Sequence, residues 1–184
     1  MKRFRNRRAR LLPMALCSLL LGACASRAPE RAPPPDFDAA AAVAAIRAAG
    51  TASGGELDVQ PLRDPQVSDL SEEATRLEAG RLYQAAADRL DQALEISAQD
   101  PNLLQQRAEI ALLLGQTDLA ERLALQARAA GTDVGPLCRR NWETVVRARA
   151  GGSRPPDTAG LPRVSVEEAG RRRDACTVAP PPRY

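Results

Sequence analysis

The sequence predicts an all-α protein: two helical hairpins and a capping helix, with largely irregular N- and C-terminal segments. Three observations predict it. Shifting residues 67–150 by 34 positions brings apolar residues back onto apolar residues. Within each unit they stand at i, i+4 and i+7, one face of a helix. After residue 23 the only aromatics are Phe37, Tyr83, Trp142 and Tyr184, and the apolar complement is mainly alanine and leucine. Such small side chains suit close-packed helices, whereas strands favour β-branched and aromatic residues.

The elements follow in chain order. Residues 2–10 carry six positive charges and no negative one, residues 11–21 are almost wholly apolar, and small residues lead to Cys24. That is the layout of a secretory signal peptide, here residues 1–23. The apolar run is about half what a membrane-spanning helix needs. Leu21-Gly22-Ala23-Cys24 resembles the lipobox of bacterial lipoproteins. The resemblance implies that Cys24 becomes the first mature residue and carries the lipid, with palmitate among its acyl chains, a stable membrane anchor. It also implies the outer membrane, periplasmic face, because Ala25 and Ser26 lack the aspartate that often retains such proteins at the inner membrane. The alternative is an ordinary cleaved signal with Cys24 merely near the cut.

Residues 24–35 read as a proline-rich linker that holds the domain off the membrane, by up to about 3 Å per residue. Residues 36–66 read as a short helix and a loop. Asp36 or Asp38 suits an N-cap, and Gly50 ends an alanine-rich helix at Ala49. Its few larger apolar residues, Phe37, Val43 and Ile46, leave it either packed on the domain or marginal alone.

In residues 67–150, Leu70, Leu104 and Cys138 align, as do Ala74, Ala108 and Trp142, and Leu77, Ala111 and Val145. In the second half of the unit Ala86, Leu90 and Ala93 align with Ala120, Ala124 and Ala127. A 34-residue period of two helices resembles the tetratricopeptide repeat (TPR) family. Gly115 fits the turn between the two helices, where Arg81 stands in the first repeat. Pro101 opens a helix without losing a hydrogen bond. Helix 135–150 reads as a cap, with Trp142 either core or a stacking surface. Residues 151–184 form a tail, with a capping box at Ser165–Glu168 for a short helix near 166–173 and an extended end over Val178–Pro182.

Charge and composition narrow the function. The chain carries 26 basic and 23 acidic residues. Losing residues 1–23 removes Lys2, the only lysine, and five arginines, so the net charge moves from +3 to about −3. Nothing there calls for nucleic acid. The absence of histidine excludes Ser-His-Asp and Cys-His catalysis and His-ligated zinc. No paired-carboxylate or phosphate-loop pattern is present either, so the expectation is a protein with no catalysis of its own, no cofactor and no metal.

Cys138 and Cys176 remain after processing. Either they bond in an oxidising compartment, worth roughly 3–4 kcal/mol by loop closure, or Cys138 is a small buried apolar residue and Cys176 a free thiol. The family resemblance implies a groove lined by the first helix of each pair. Asn102, Gln105 and Glu109, with Arg139, Glu143 and Arg147, are the candidate partner-binding stripes there. As plain solvated faces they would instead hold pairs such as Arg139–Glu143. The expected function is a membrane-anchored periplasmic scaffold or adaptor for envelope proteins. The alternative is a self-associating structural lipoprotein, a homodimer through the apolar helix 102–114. Leu112, Leu113 and Leu114 make that helix apolar nearly all round, to be covered by the 39–49 helix, by the tail or by a partner.

Overall fold

The computed structural model describes residues 32–51, 62–154 and 160–177. The signal segment 1–23, Cys24 and the first part of the linker, the Gly54-Gly55 loop and the Val178–Pro182 stretch lie outside the described residues. Among the described residues all regular structure is helical: α1 (Ala39–Ala49), α2 (Pro65–Ala79), α3 (Tyr83–Ile96), α4 (Pro101–Leu113), α5 (Thr117–Ala130), α6 (Pro136–Ala150) and α7 (Val166–Ala175). The all-α expectation holds.

Helix starts follow local chemistry. The Asp38 carboxylate accepts from the Ala41 N–H at 2.9 Å and starts α1. Asp64 caps α2 and Asp100 caps α4, each followed by a proline whose missing N–H would have had no partner anyway. Pro65 therefore opens α2 slightly ahead of the expected start at 67. Ser165 caps α7 by accepting from Glu168 N–H at 3.1 Å.

Helices α2, α4 and α6 end in one and the same turn. The Leu82, Gln116 and Ser153 N–H groups reach back to the Leu77, Ala111 and Ala148 carbonyls at 2.9, 2.8 and 3.0 Å. The residue before each, Arg81, Gly115 or Gly152, bonds to the Glu78, Leu112 or Arg149 carbonyl and takes a left-handed φ of 58°, 75° or 91°. This is the Schellman arrangement, whose left-handed position favours glycine. Arg81 is the one non-glycine residue with positive φ among the described residues.

The hairpins α2/α3, α4/α5 and α6/α7 stack in chain order, each helix against the next. The aligned alanines Ala74, Ala86, Ala93, Ala108, Ala111, Ala120, Ala124 and Ala127 are all buried, which lets the helices approach closely. The expected cap α6 is itself covered by α7. Trp142, Val145, Val164 and Ala169 share one core, and the Arg172 guanidinium lies 5.1 Å over the Trp142 ring. Trp142 is thus core, not an open stacking surface. Cys138 and Cys176 are bonded, and beside them Gly135 N–H donates to Cys176 O at 2.7 Å.

Helix α1 lies across α4 and α6, antiparallel to α6. Its Val43 and Ile46 pack with Ala111, Leu112, Ala120 and Ala148. Leu112 is therefore covered by α1, not by the tail or by a partner. At Gly151 a Cβ would lie 2.8 Å from Thr117 Cγ2 and 3.0 Å from Phe37 Cζ, so any larger residue would force these side chains to shift. The end of the proline-rich linker is not a free spacer. Pro33 and Pro34 lie 3.4 and 3.6 Å from where Gly115 and Gly152 would carry a Cβ, so this part of the linker straps over two of the three turns.

Candidate functional site

The groove formed by α2, α4 and α6 divides into a filled part and an open part. The filled part holds α1. On its floor Glu109 is fully buried and accepts from three donors: Arg47 Nε at 2.9 Å, Gln105 Nε2 at 2.9 Å and the Arg140 guanidinium. Gln105 also donates to Thr144 Oγ1 at 2.8 Å, and Arg47 bridges on to Glu78 at 2.7 Å. Burial opposes the charge on Arg47, but Glu109 and Glu78 outweigh it and hold its pKa above the ordinary arginine value. A buried carboxylate needs such compensation, and here it comes from α1, α4 and α6 at once.

The open part is a cleft of about 400 Å³ beside α1, lined by Arg47, Arg63, Thr75, Glu78, Asn102, Gln106, Glu109 and Arg140. Its arginines are matched: Arg63 pairs with Asp100 at 2.9 Å, and Arg47 and Arg140 with the glutamates. The cleft thus offers no unbalanced field for a polyanion. Gln106 accepts from Ser71 Oγ at 2.9 Å and donates to Thr75 Oγ1 at 3.0 Å, so Asn102 is the amide the cleft offers to a peptide main chain. The Asn102 carboxamide has no hydrogen-bond partner among the described residues.

The expected binding stripes fare unequally. Asn102 lines the open cleft. Gln105 is buried beneath α1, and Glu109, though it borders the cleft, is fully buried and already paired, so neither is a free surface. Arg139 is buried and caps the end of α1, donating to the Ala49 and Thr51 carbonyls at 2.9 and 3.1 Å. Glu143 is buried as well, and it pairs with Arg147 at 2.7 Å and Arg173 at 2.5 Å. Glu143 and then Asp174 raise the pKa of Arg173. The Arg139–Glu143 pair drawn from spacing is replaced by Arg147–Glu143, because Arg139 is taken by α1. Gln105, Glu109, Arg139 and Glu143 are taken up because α1 and α7 pack on helices that the repeat pattern alone leaves open, while Asn102 and the Arg147 side chain stay accessible.

Sequence reasoning missed Arg47, Arg63, Thr75, Glu78, Gln106 and Arg140. One signal was present: Arg47 follows Val43 and Ile46 on the face of α1, as it would if that face were docked. Among the described residues no group of three or more histidine, cysteine, aspartate or glutamate side chains is placed to hold a metal ion. No helix there is long and apolar enough to cross a membrane. Compared with protein-family models, with curated proteins and with solved structures, the chain matches none.

Proposed function

We propose that this chain is a membrane-anchored periplasmic scaffold or adaptor that binds envelope proteins and has no catalysis of its own. The observation that carries this reading is the open polar cleft beside α1, whose arginines are matched and whose Asn102 carboxamide awaits a partner. The lipobox resemblance at Cys24 supplies the tether and the outer-membrane location. The tetratricopeptide resemblance supplies the precedent for protein binding in such a groove. Self-association through helix 102–114 is the weaker reading, because Leu112 faces α1.

The test is site-specific photo-cross-linking in intact cells. A photoreactive residue at position 102 should trap a discrete partner, and one at the exposed Gln92 on α3 should not. No adduct at 102, or the same adduct at both sites, would overturn the reading. Exchanging Cys24 for serine should also move the protein from the membrane to the soluble fraction.

A further inference from the structure

We propose that α1 is a built-in, displaceable ligand of the groove, and that the groove is a receptor for a short amphipathic helix of the same chemistry. That chemistry is two apolar residues three apart, followed directly by an arginine. It is read from what the groove now holds. Val43 and Ile46 fill the apolar floor made by Ala111, Leu112, Ala120 and Ala148. Arg47 meets Glu109 at 2.9 Å and Glu78 at 2.7 Å. Arg139 takes the carbonyl of Ala49, the last helical residue, at 2.9 Å and that of Thr51, just past the helix, at 3.1 Å. Apolar floor, acid pair and carbonyl donor together specify a helix and its direction.

Three observations make α1 displaceable. It has eleven residues, eight of them alanine, too short to persist as a helix in water without its dock. Its departure leaves the fully buried Glu109 with Arg140 and Gln105, and Gln105 with Thr144, while Arg139 and Glu78 give up contacts that a competing helix of the same chemistry would restore. The hairpins α2 to α7 close on one another and carry the disulfide, so none needs α1 for its caps or its covalent link. The open cleft beyond Arg47 adds Asn102, a contact that α1 leaves unused and that a competing helix with a following segment would gain. Local opening of one weakly held element, followed by capture, is the expected route.

The proposal rests on the binding-module reading, and its test is separate. In the full chain, hydrogen exchange should run at least tenfold faster at Ala42–Ala49 than at Ala108–Leu112. A labelled peptide of residues 36–51 should bind the full chain carrying Val43→Asp and Ile46→Asp saturably, and the unaltered chain at least tenfold more weakly. The same peptide with Arg47→Glu should bind the double variant at least tenfold more weakly than the unaltered peptide. Equal exchange in α1 and α4, no peptide binding by a double variant that still melts cooperatively, or loss of that cooperative melt would each overturn it. Peptide binding without a cross-link at position 102 would reject the adaptor and keep the receptor. The reverse would keep the adaptor and reject the receptor.

Discussion

Replacing Arg81 by glycine should stabilise the protein. Three helices end in one hydrogen-bonded turn, and two of the three left-handed positions hold glycine. At the third, Arg81 holds φ at 58° with a Cβ attached. A left-handed backbone costs such a residue roughly 1–2 kcal/mol. Glycine's larger freedom in the unfolded chain offsets roughly 0.5–1 kcal/mol of that gain. The Arg81 residue is exposed, and the turn's bonds from Arg81 and Leu82 N–H to Glu78 and Leu77 use backbone alone, so little else is lost. The expected net gain is about 0.5–1 kcal/mol, or a melting temperature higher by about 1–4 °C. Thermal unfolding followed by far-UV circular dichroism, with the disulfide intact, measures it. Gly115→Ala is the matched control. It adds the same strain and sets a Cβ 3.4 Å from Pro33, and after the same offset for glycine's freedom it should destabilise by about 0.5–1 kcal/mol. A melting point for Arg81→Gly at or below that of the unaltered chain would refute the argument from backbone strain.

Exchanging both Cys138 and Cys176 for serine should cost about 3–4 kcal/mol and loosen α7, with the emission of Trp142, the only tryptophan, shifting to the red. Unchanged emission and stability would mean that packing alone holds α7. Glu121 is fully buried and accepts from Arg149 at 2.6 and 2.7 Å and Ser153 at 2.6 Å, so Glu121→Ala, which strands a nearly buried guanidinium, should cost about 3–5 kcal/mol in chemical denaturation. A loss below about 1 kcal/mol would show that Arg149 finds water instead. Stability should be flat from pH 8 to 6, since the chain has no histidine. Arg172 and Arg171 hold the Glu168 carboxyl below its ordinary value, and backbone and Ser165 hydrogen bonds do so for Glu167. Depressed carboxyls stabilise above their unfolded value near 4.5 and lose that contribution as pH falls further, so the decline should begin in that range. A drop between pH 7 and 6 would contradict this.

Much of the fold was legible because it is local and periodic. The 34-residue period placed α2 to α6, the proline and aspartate pairs marked helix starts, and Ser165 with Glu168 marked α7. The packing of α7 on α6 was legible only through the cysteines, whose bonding would tie the tail back over the capping helix, because the stretch from Gly151 to Ser165 breaks the period. The candidate stripes were chosen from helical spacing, which tells which residues share a face but not what covers that face. Asn102 reached an open cleft, while Gln105, Glu109, Arg139 and Glu143 were taken up inside.

By itself, then, the sequence determined the helical class, the register of the repeat, the turn chemistry, and through Leu21–Cys24 the expectation of a lipid tether. Each of these depends on residues near one another in the chain. Only the tertiary structure decided that α1 lies in the groove, that Arg47 and Arg140 share Glu109, that proline rings strap two glycine turns, and that Cys138 meets Cys176. Those contacts join residues far apart in sequence. They are fixed by which faces remain to be buried once the local elements have formed, a competition among surfaces that no short-range pattern records.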